Sequence, residues 1–153
     1  MTIRVQREDF DTAAELERLS AGNPRIGAVV TFTGLVRDFT SEQSASSQQS
    51  MVLEHYPGMT ERQLAAILAE AESRWPLESA LIIHRYGELA PGDRIVLVVT
   101  ASAHRQAAFE ANAFLIDWLK TKAPFWKLEQ AGGGRRWVEA KTSDDDAAAR
   151  WQG

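Results

Sequence analysis

A chain of 153 residues has the length of one ordinary domain and can bury a working core without staples. Its 17 Lys+Arg and 21 Asp+Glu leave a formal charge of −4, which excludes a molecule-wide basic field of the kind that holds nucleic acid, so any anion site has to be local. Cysteine is absent, which removes disulfides, thiolate metal sites and thiol nucleophiles and leaves the chemistry to oxygen and nitrogen side chains.

The opening MTIRVQREDFDTAAELERL has no apolar signal core, and no window approaches the roughly 18 apolar residues of a membrane span, so a cytoplasmic, membrane-free protein is expected. A short strand is expected at Ile3 to Val5 and a peripheral helix at Thr12 to Leu19. Gly27 to Val36, GAVVTFTGLV, is rich in β-branched residues and reads as a strand, with Met51 to Tyr56 as its neighbour. Between them the polar, Ser/Gln-rich stretch of about 38–50 holds too little apolar surface to offset its ordering entropy and is read as a flexible loop within a single 1–153 domain.

Thr60 followed by Gln63 reads as a helix start, and Leu64, Ile67, Leu68, Ala71 and Trp75 then recur at helical spacing up to Pro76. Ala80 to Tyr86 and Arg94 to Ala101 follow as an antiparallel pair joined by the turn-forming GELAPGD. His104 to Lys122 is the longest helix. At 100° per residue its polar side chains Gln106, Glu110, Asp117 and Lys120 fall on one narrow stripe, so it is either a central core helix or covered by a second subunit. Phe125 to Gln130 and Arg135 to Ala140 read as strands around Gly132 to Gly134, and Ser143 as the cap of a last helix that Trp151 docks. Strands in pairs broken by helices, without steady βαβ alternation, define an α+β fold with a mostly antiparallel sheet.

Three places carry candidate chemistry. Lys120 and Lys127 flank a chain reversal at Pro124, where they either converge on one anionic or carbonyl ligand, with Phe125 and Trp126 drying the pocket, or simply complement a helix C-terminus in water. Ser102-Ala103-His104-Arg105 joins a strand to a helix N-terminus, a junction suited to phosphate, although Ser102 and His104 also fit structural roles. Arg37 ends the Thr31 to Val36 strand beside the polar loop. No metal-ligand spacing links His55 and His84, and no P-loop or dinucleotide motif occurs, so no metal is expected.

On a continuous helix His104 and Lys120 lie about 24 Å apart along the axis and about 160° apart around it. They cannot share one small pocket within one chain. If both serve one site, a second copy must supply His104 and Arg105, which implies a homodimer with its site at the interface.

The segments GAVVTFTGLVRD (27–38), LEHYPGMTE (53–61), RWPL (74–77), IHRYGELAPGD (83–93), SAHRQAAFEA (102–111), LKTKAPFWKLE (119–129), RWVEAK (136–141) and AARW (148–151), in this order, resemble the large, catalytic subunit of the molybdopterin synthase family. The resemblance implies an α/β hammerhead-type fold and a homodimer carrying a small ubiquitin-like sulfur-carrier subunit at each end, a heterotetramer. It implies transfer of sulfur from the carrier's thiocarboxylated C-terminal Gly-Gly to cyclic pyranopterin monophosphate, forming the dithiolene of molybdopterin with no permanently bound cofactor. Carried over by position, Lys120 and Lys127 are the catalytic lysines. Leu35, Val36, Arg37, Leu128 and Glu129, with His104 and Arg105 of the other subunit, line the substrate site. This chain has Leu35 and Leu128 where some members carry a basic residue. The rival expectation is a non-catalytic module that holds a phosphorylated ligand or a partner's tail with the same cations.

Overall fold

The computed structural model describes residues 1–37, 50–122, 125–131, 134–138 and 149–152, with the backbone alone described along 126–131 and 134–138. Eleven elements are found in the described residues: β1 (Thr2–Gln6), α1 (Thr12–Ser20), β2 (Ala28–Leu35), β3 (Ser50–His55), α2 (Met59–Arg74), β4 (Leu77–Arg85), β5 (Gly87–Leu89), β6 (Arg94–Ser102), α3 (Arg105–Thr121), β7 (Phe125–Ala131) and β8 (Gly134–Val138). They build two four-stranded sheets, β1-β4-β6-β2 and β5-β3-β7-β8, in which β1 with β4 is the sole parallel pair among the described strands. The α+β expectation, with mostly antiparallel strands, is borne out.

The first sheet is covered on both faces. Its inner strands β4 and β6 are therefore almost continuously apolar, unlike the alternating pattern of a half-solvated sheet. Leu81, Ile83, Leu97 and Val99 project to one face, where Phe10 and the α1 residues Leu16 and Leu19 cover them. Ala80, Ile82, Val96 and Val98 project to the other, beneath Ile67, Leu68 and Ala71 of α2 and Phe114 and Leu115 of α3. The helix at Thr12 is accordingly one side of a sandwich.

Polar groups fix α3 on this sheet. The buried Asn112 amide donates to the carbonyls of Val30 and Val98, both at 3.1 Å, and Thr100 Oγ1 donates to Ala108 O at 2.6 Å. Thr100 faces Ala108 while Val98 faces Asn112, so α3 runs antiparallel to β6 and its end returns toward the start of that strand.

The sequence expectations fail in four places. The strand at Met51 is not the neighbour of β2: β2 pairs with β6, whereas β3 pairs with β5 and β7 in the second sheet. Part of GELAPGD is not a turn, because Gly87 to Leu89 form β5, through which the chain leaves one sheet for the other before Pro91-Gly92-Asp93 turns it back. The N-cap of α2 is Gly58, not Thr60. With φ of +83° it takes a conformation open to glycine, and its N–H donates to Glu61, while the buried Thr60 accepts from the Tyr56 N–H at 3.1 Å. Ser102 does not cap α3; its hydroxyl donates to Pro76 O at 2.7 Å and His104 is the N-cap residue. The expected loop at 38–50 falls, but for Ser50, outside the described residues, as does the expected helix after Ser143 apart from its last turn.

Trp151 does dock. Its ring meets Trp75 and Phe114 edge-on, with both centroid distances 5.7 Å, its indole N–H donates to Asp117, and Arg74 donates to its carbonyl at 2.9 Å. Two of the four polar positions on the α3 stripe are thereby occupied by tryptophans, since Glu110 accepts from Trp75 at 2.8 Å.

Candidate anion site at the ends of one helix

The antiparallel register sorts the candidate residues into two groups. Leu35 lies opposite Arg94, and Ala28 opposite Ser102. Arg37, just beyond Leu35, therefore stands at the end of the first sheet where β6 begins. His104 and Arg105, just beyond Ser102, stand at the other end, about 20 Å away along β2. Because α3 returns antiparallel to β6, Lys120 lies toward the Arg37 end. The second sheet contributes there as well, since β7 starts four residues after α3 stops.

Local packing fixes each group. The backbone before Arg37 is tied to the Pro91-Gly92-Asp93 turn: the Val36 N–H donates to Asp93 O at 2.8 Å and the Gly92 N–H to Val36 O at 2.7 Å. Val36 is buried in the core, while Leu35 is 58% exposed. At the other end, Gly27 N–H donates to Ser102 O at 3.0 Å, and a Cβ on Gly27 would lie 2.2 Å from the Ala103 carbonyl oxygen. Only glycine permits that approach, which holds the strand-to-helix corner bearing His104 and Arg105.

In the β3–β7 ladder, position 127 lies opposite Leu53 and position 129 opposite Met51. Positions 125, 127 and 129 therefore share the face of the second sheet that carries Leu53 and Met51, which are 1% and 4% exposed, and position 128 shares the face of Val52.

Two kinds of cation emerge. Arg4 and Arg18 both bind Glu15, Arg94 and Arg85 approach Asp9, Arg25 binds Glu78, and Arg150 binds Asp117. Arg94 holds the Asp9 carboxyl below its usual range, and Arg4 does the same for Glu15. By contrast, Arg37, His104, Arg105 and Lys120 are all exposed and, among the described residues, none of them has a carboxylate partner. Cations without carboxylates are available to an external anion. No group of metal-ligating side chains occurs among the described residues.

One cluster near Arg37 escaped sequence reading. The buried His84 ring stacks on Phe125 with centroids 3.7 Å apart and planes 15° apart, and His55, in register with Phe125, stands 6.2 Å from the same ring. His55 also meets Tyr86 at 4.2 Å, and Arg7 lies 4.9 Å over Tyr86. The signal was present in β4, where His84 continues the Ala80, Ile82 series on the face beneath α2 and α3.

Carboxylate-free cations at both ends of one core helix of an α+β protein are placed where an external anion can meet them. The family described as MoaE protein matches residues 5–122. The chain is 56% identical to the molybdopterin synthase catalytic subunit of Mesorhizobium japonicum, covering 99% of this chain and 93% of that one. It is 55% identical to the Pseudomonas aeruginosa protein of the same name, covering 99% of each. The solved structure of a molybdopterin biosynthesis MoaE protein from Burkholderia ambifaria aligns with a TM-score of 0.82 at 50% identity over 99% of both chains. This chain belongs to the MoaE protein family.

Proposed function

We propose that this chain is the catalytic subunit of a molybdopterin synthase, transferring sulfur from the thiocarboxylated C-terminus of a small ubiquitin-like carrier to cyclic pyranopterin monophosphate. Two carriers supply the two dithiolene sulfurs, each carrier's C–S bond being replaced by a C–O bond to an oxygen from water or from the pterin's side chain so that it leaves as a carboxylate, and the cyclic phosphate opens. The observation that carries this reading is the set of carboxylate-free cations at the two ends of α3, in a chain whose close relatives bear that name.

Arg37 binds the substrate's phosphate through the guanidinium fork, and Lys120, at the same end, polarises the thiocarboxylate carbonyl. Lys127 is the second catalytic lysine, at the β7 position that pairs with Leu53 in the second sheet. Leu35, Val36, Leu128 and Glu129 are the remaining residues assigned to the site, with Leu128 on the opposite face of β7 from Lys127 and Glu129.

His104 and Arg105 come from a second copy. They stand at the far end of the sheet from Arg37, and the surface around them is apolar enough to be covered: Phe109, one helical turn after Arg105 on the same face, is 60% exposed, and Val29 on the edge strand β2 is 40% exposed. A copy that buries Phe109 carries Arg105 into the interface. The assembly is a homodimer of this single-domain chain with one carrier at each end, acting in the cytoplasm.

One reaction tests the reading. Purified chain is mixed with thiocarboxylated carrier and cyclic pyranopterin monophosphate, and dithiolene product is sought by mass spectrometry. Product that requires both components is expected. Binding of both without product means a non-catalytic module.

A further inference from the structure

We propose that His84 is a positioning residue for this reaction: stacked on Phe125, it fixes the start of β7 and thereby the place of Lys127 relative to Lys120. The inference rests on the reading in which Lys127 acts.

The two lysines belong to different parts of the fold. Lys120 is on α3, which Asn112 and Thr100 bind to the first sheet. Lys127 is on β7, in the second sheet. Only residues 122–124 join these elements, so the backbone connection alone leaves their spacing to whatever ties the two sheets together at that point. His84 and Phe125 make such a tie. His84 is a residue of β4, paired with Val96 in the first sheet, and Phe125 is the first residue of β7, paired with His55 in the second.

His84 suits the task. It is 8% exposed, and its Nδ1–H donates to the Arg85 carbonyl at 2.9 Å, which fixes the ring plane. A locked flat ring presents one face, and Phe125 lies on it at 3.7 Å. Phe125 and position 127 share one face of β7, a single strand repeat of about 7 Å apart. A shift of Phe125 is therefore passed along a rigid ladder to Lys127, and misplacement of a catalytic group by about 1 Å costs up to about 100-fold in rate.

The experiment uses the reconstituted synthase in single-turnover assays at saturating carrier, with the variants His84→Ala, His84→Phe, Phe125→Leu and Lys127→Ala. His84→Ala and Phe125→Leu are expected to lower the maximal rate about 10-fold or more while changing the half-saturating pterin concentration less than about twofold. His84→Phe, which keeps a flat ring on Phe125, is expected to restore most of the rate. In a Lys127→Ala background, His84→Ala is expected to cause no further loss.

A wild-type maximal rate in both His84→Ala and Phe125→Leu, with Lys127→Ala inactive, overturns the positioning role and leaves the catalytic reading standing. Loss of rate that follows loss of folded protein, with no recovery in His84→Phe, overturns it as well. A fully active Lys127→Ala enzyme overturns the reading beneath it. Phe125→Leu supplies the rate comparison if His84→Ala does not fold.

Discussion

The α1 face of the first sheet and the two ends of α3 treat the same side chains in opposite ways. On the α1 face, Arg4 and Arg18 close on Glu15, and Arg94 and Arg85 close on Asp9. At the ends of α3, Arg37, His104, Arg105 and Lys120 stand exposed without a carboxylate among the described residues. A net charge of −4 makes acids more numerous than cations, so leaving these four without one is a property of where the acids are placed. Charge satisfied inside the chain supports the fold, and charge left unsatisfied is directed at something outside it.

The largest effect is expected at Lys120. Lys120→Ala is expected to reduce sulfur transfer at least about 100-fold and to leave the melting temperature within about 2 °C of the parent, because the side chain is exposed and bonds nothing in the described structure. Product formation and a thermal melt of the same sample check both halves. Mixing Lys120→Ala with Arg105→Ala subunits is expected to restore about a quarter of wild-type activity, since random exchange makes half the dimers mixed and each mixed dimer holds one intact site. An absence of recovery despite mass-spectrometric evidence of exchange would show that one chain completes its own site.

Asn112→Ala removes the donor shared by Val30 and Val98 and leaves one buried and one part-buried carbonyl short of a partner. Stability should fall by about 2 kcal/mol in urea unfolding. Glu15→Gln, on the paired side of the comparison, should cost about 1 kcal/mol and no activity, as Arg4 and Arg18 retain partial access to water. The sign of the pH dependence follows from the depressed carboxyls of Asp9 and Glu15. Both bind protons less well folded than unfolded, so their contribution is complete above their ordinary range and is lost as pH falls below about 4. The acid limb of a stability profile should be shallower in Glu15→Gln than in the parent.

Elements governed by local periodicity were legible in the sequence. The α3 boundaries were read to within a residue or two, because apolar spacing and Pro124 mark them, and β4 with β6 followed from two apolar runs joined by a short link. Strand partners across long separations were not: β3 looks compatible with β2, but its register is decided by β5 and β7, and no local signal in SMVLEH says so. The α2 cap was misplaced because Thr60 has the right chemistry, whereas Gly58 has the right φ.

The separation of His104 from Lys120 needed only helix geometry. The grouping of Arg37 with Lys120 needed the direction of α3 along β6, which depends on tertiary hydrogen bonds from Asn112 and Thr100. The His84 stack stayed hidden because Phe125 reads as a pocket wall when its neighbours in sequence are lysines. Its partner lies 41 positions away on another sheet.

Gly27 gives the corner before α3 a genetic signature. Its missing side chain sets the gap to the Ala103 carbonyl, so even a methyl group displaces the backbone that carries His104 and Arg105. In a dimer whose sites are shared, Gly27→Ala would leave its own subunit's Lys120 in place and impair the site of its neighbour. Such an allele acts in trans: assembled with a wild-type subunit it harms that subunit's site and spares its own, whereas in its own homodimer it impairs both.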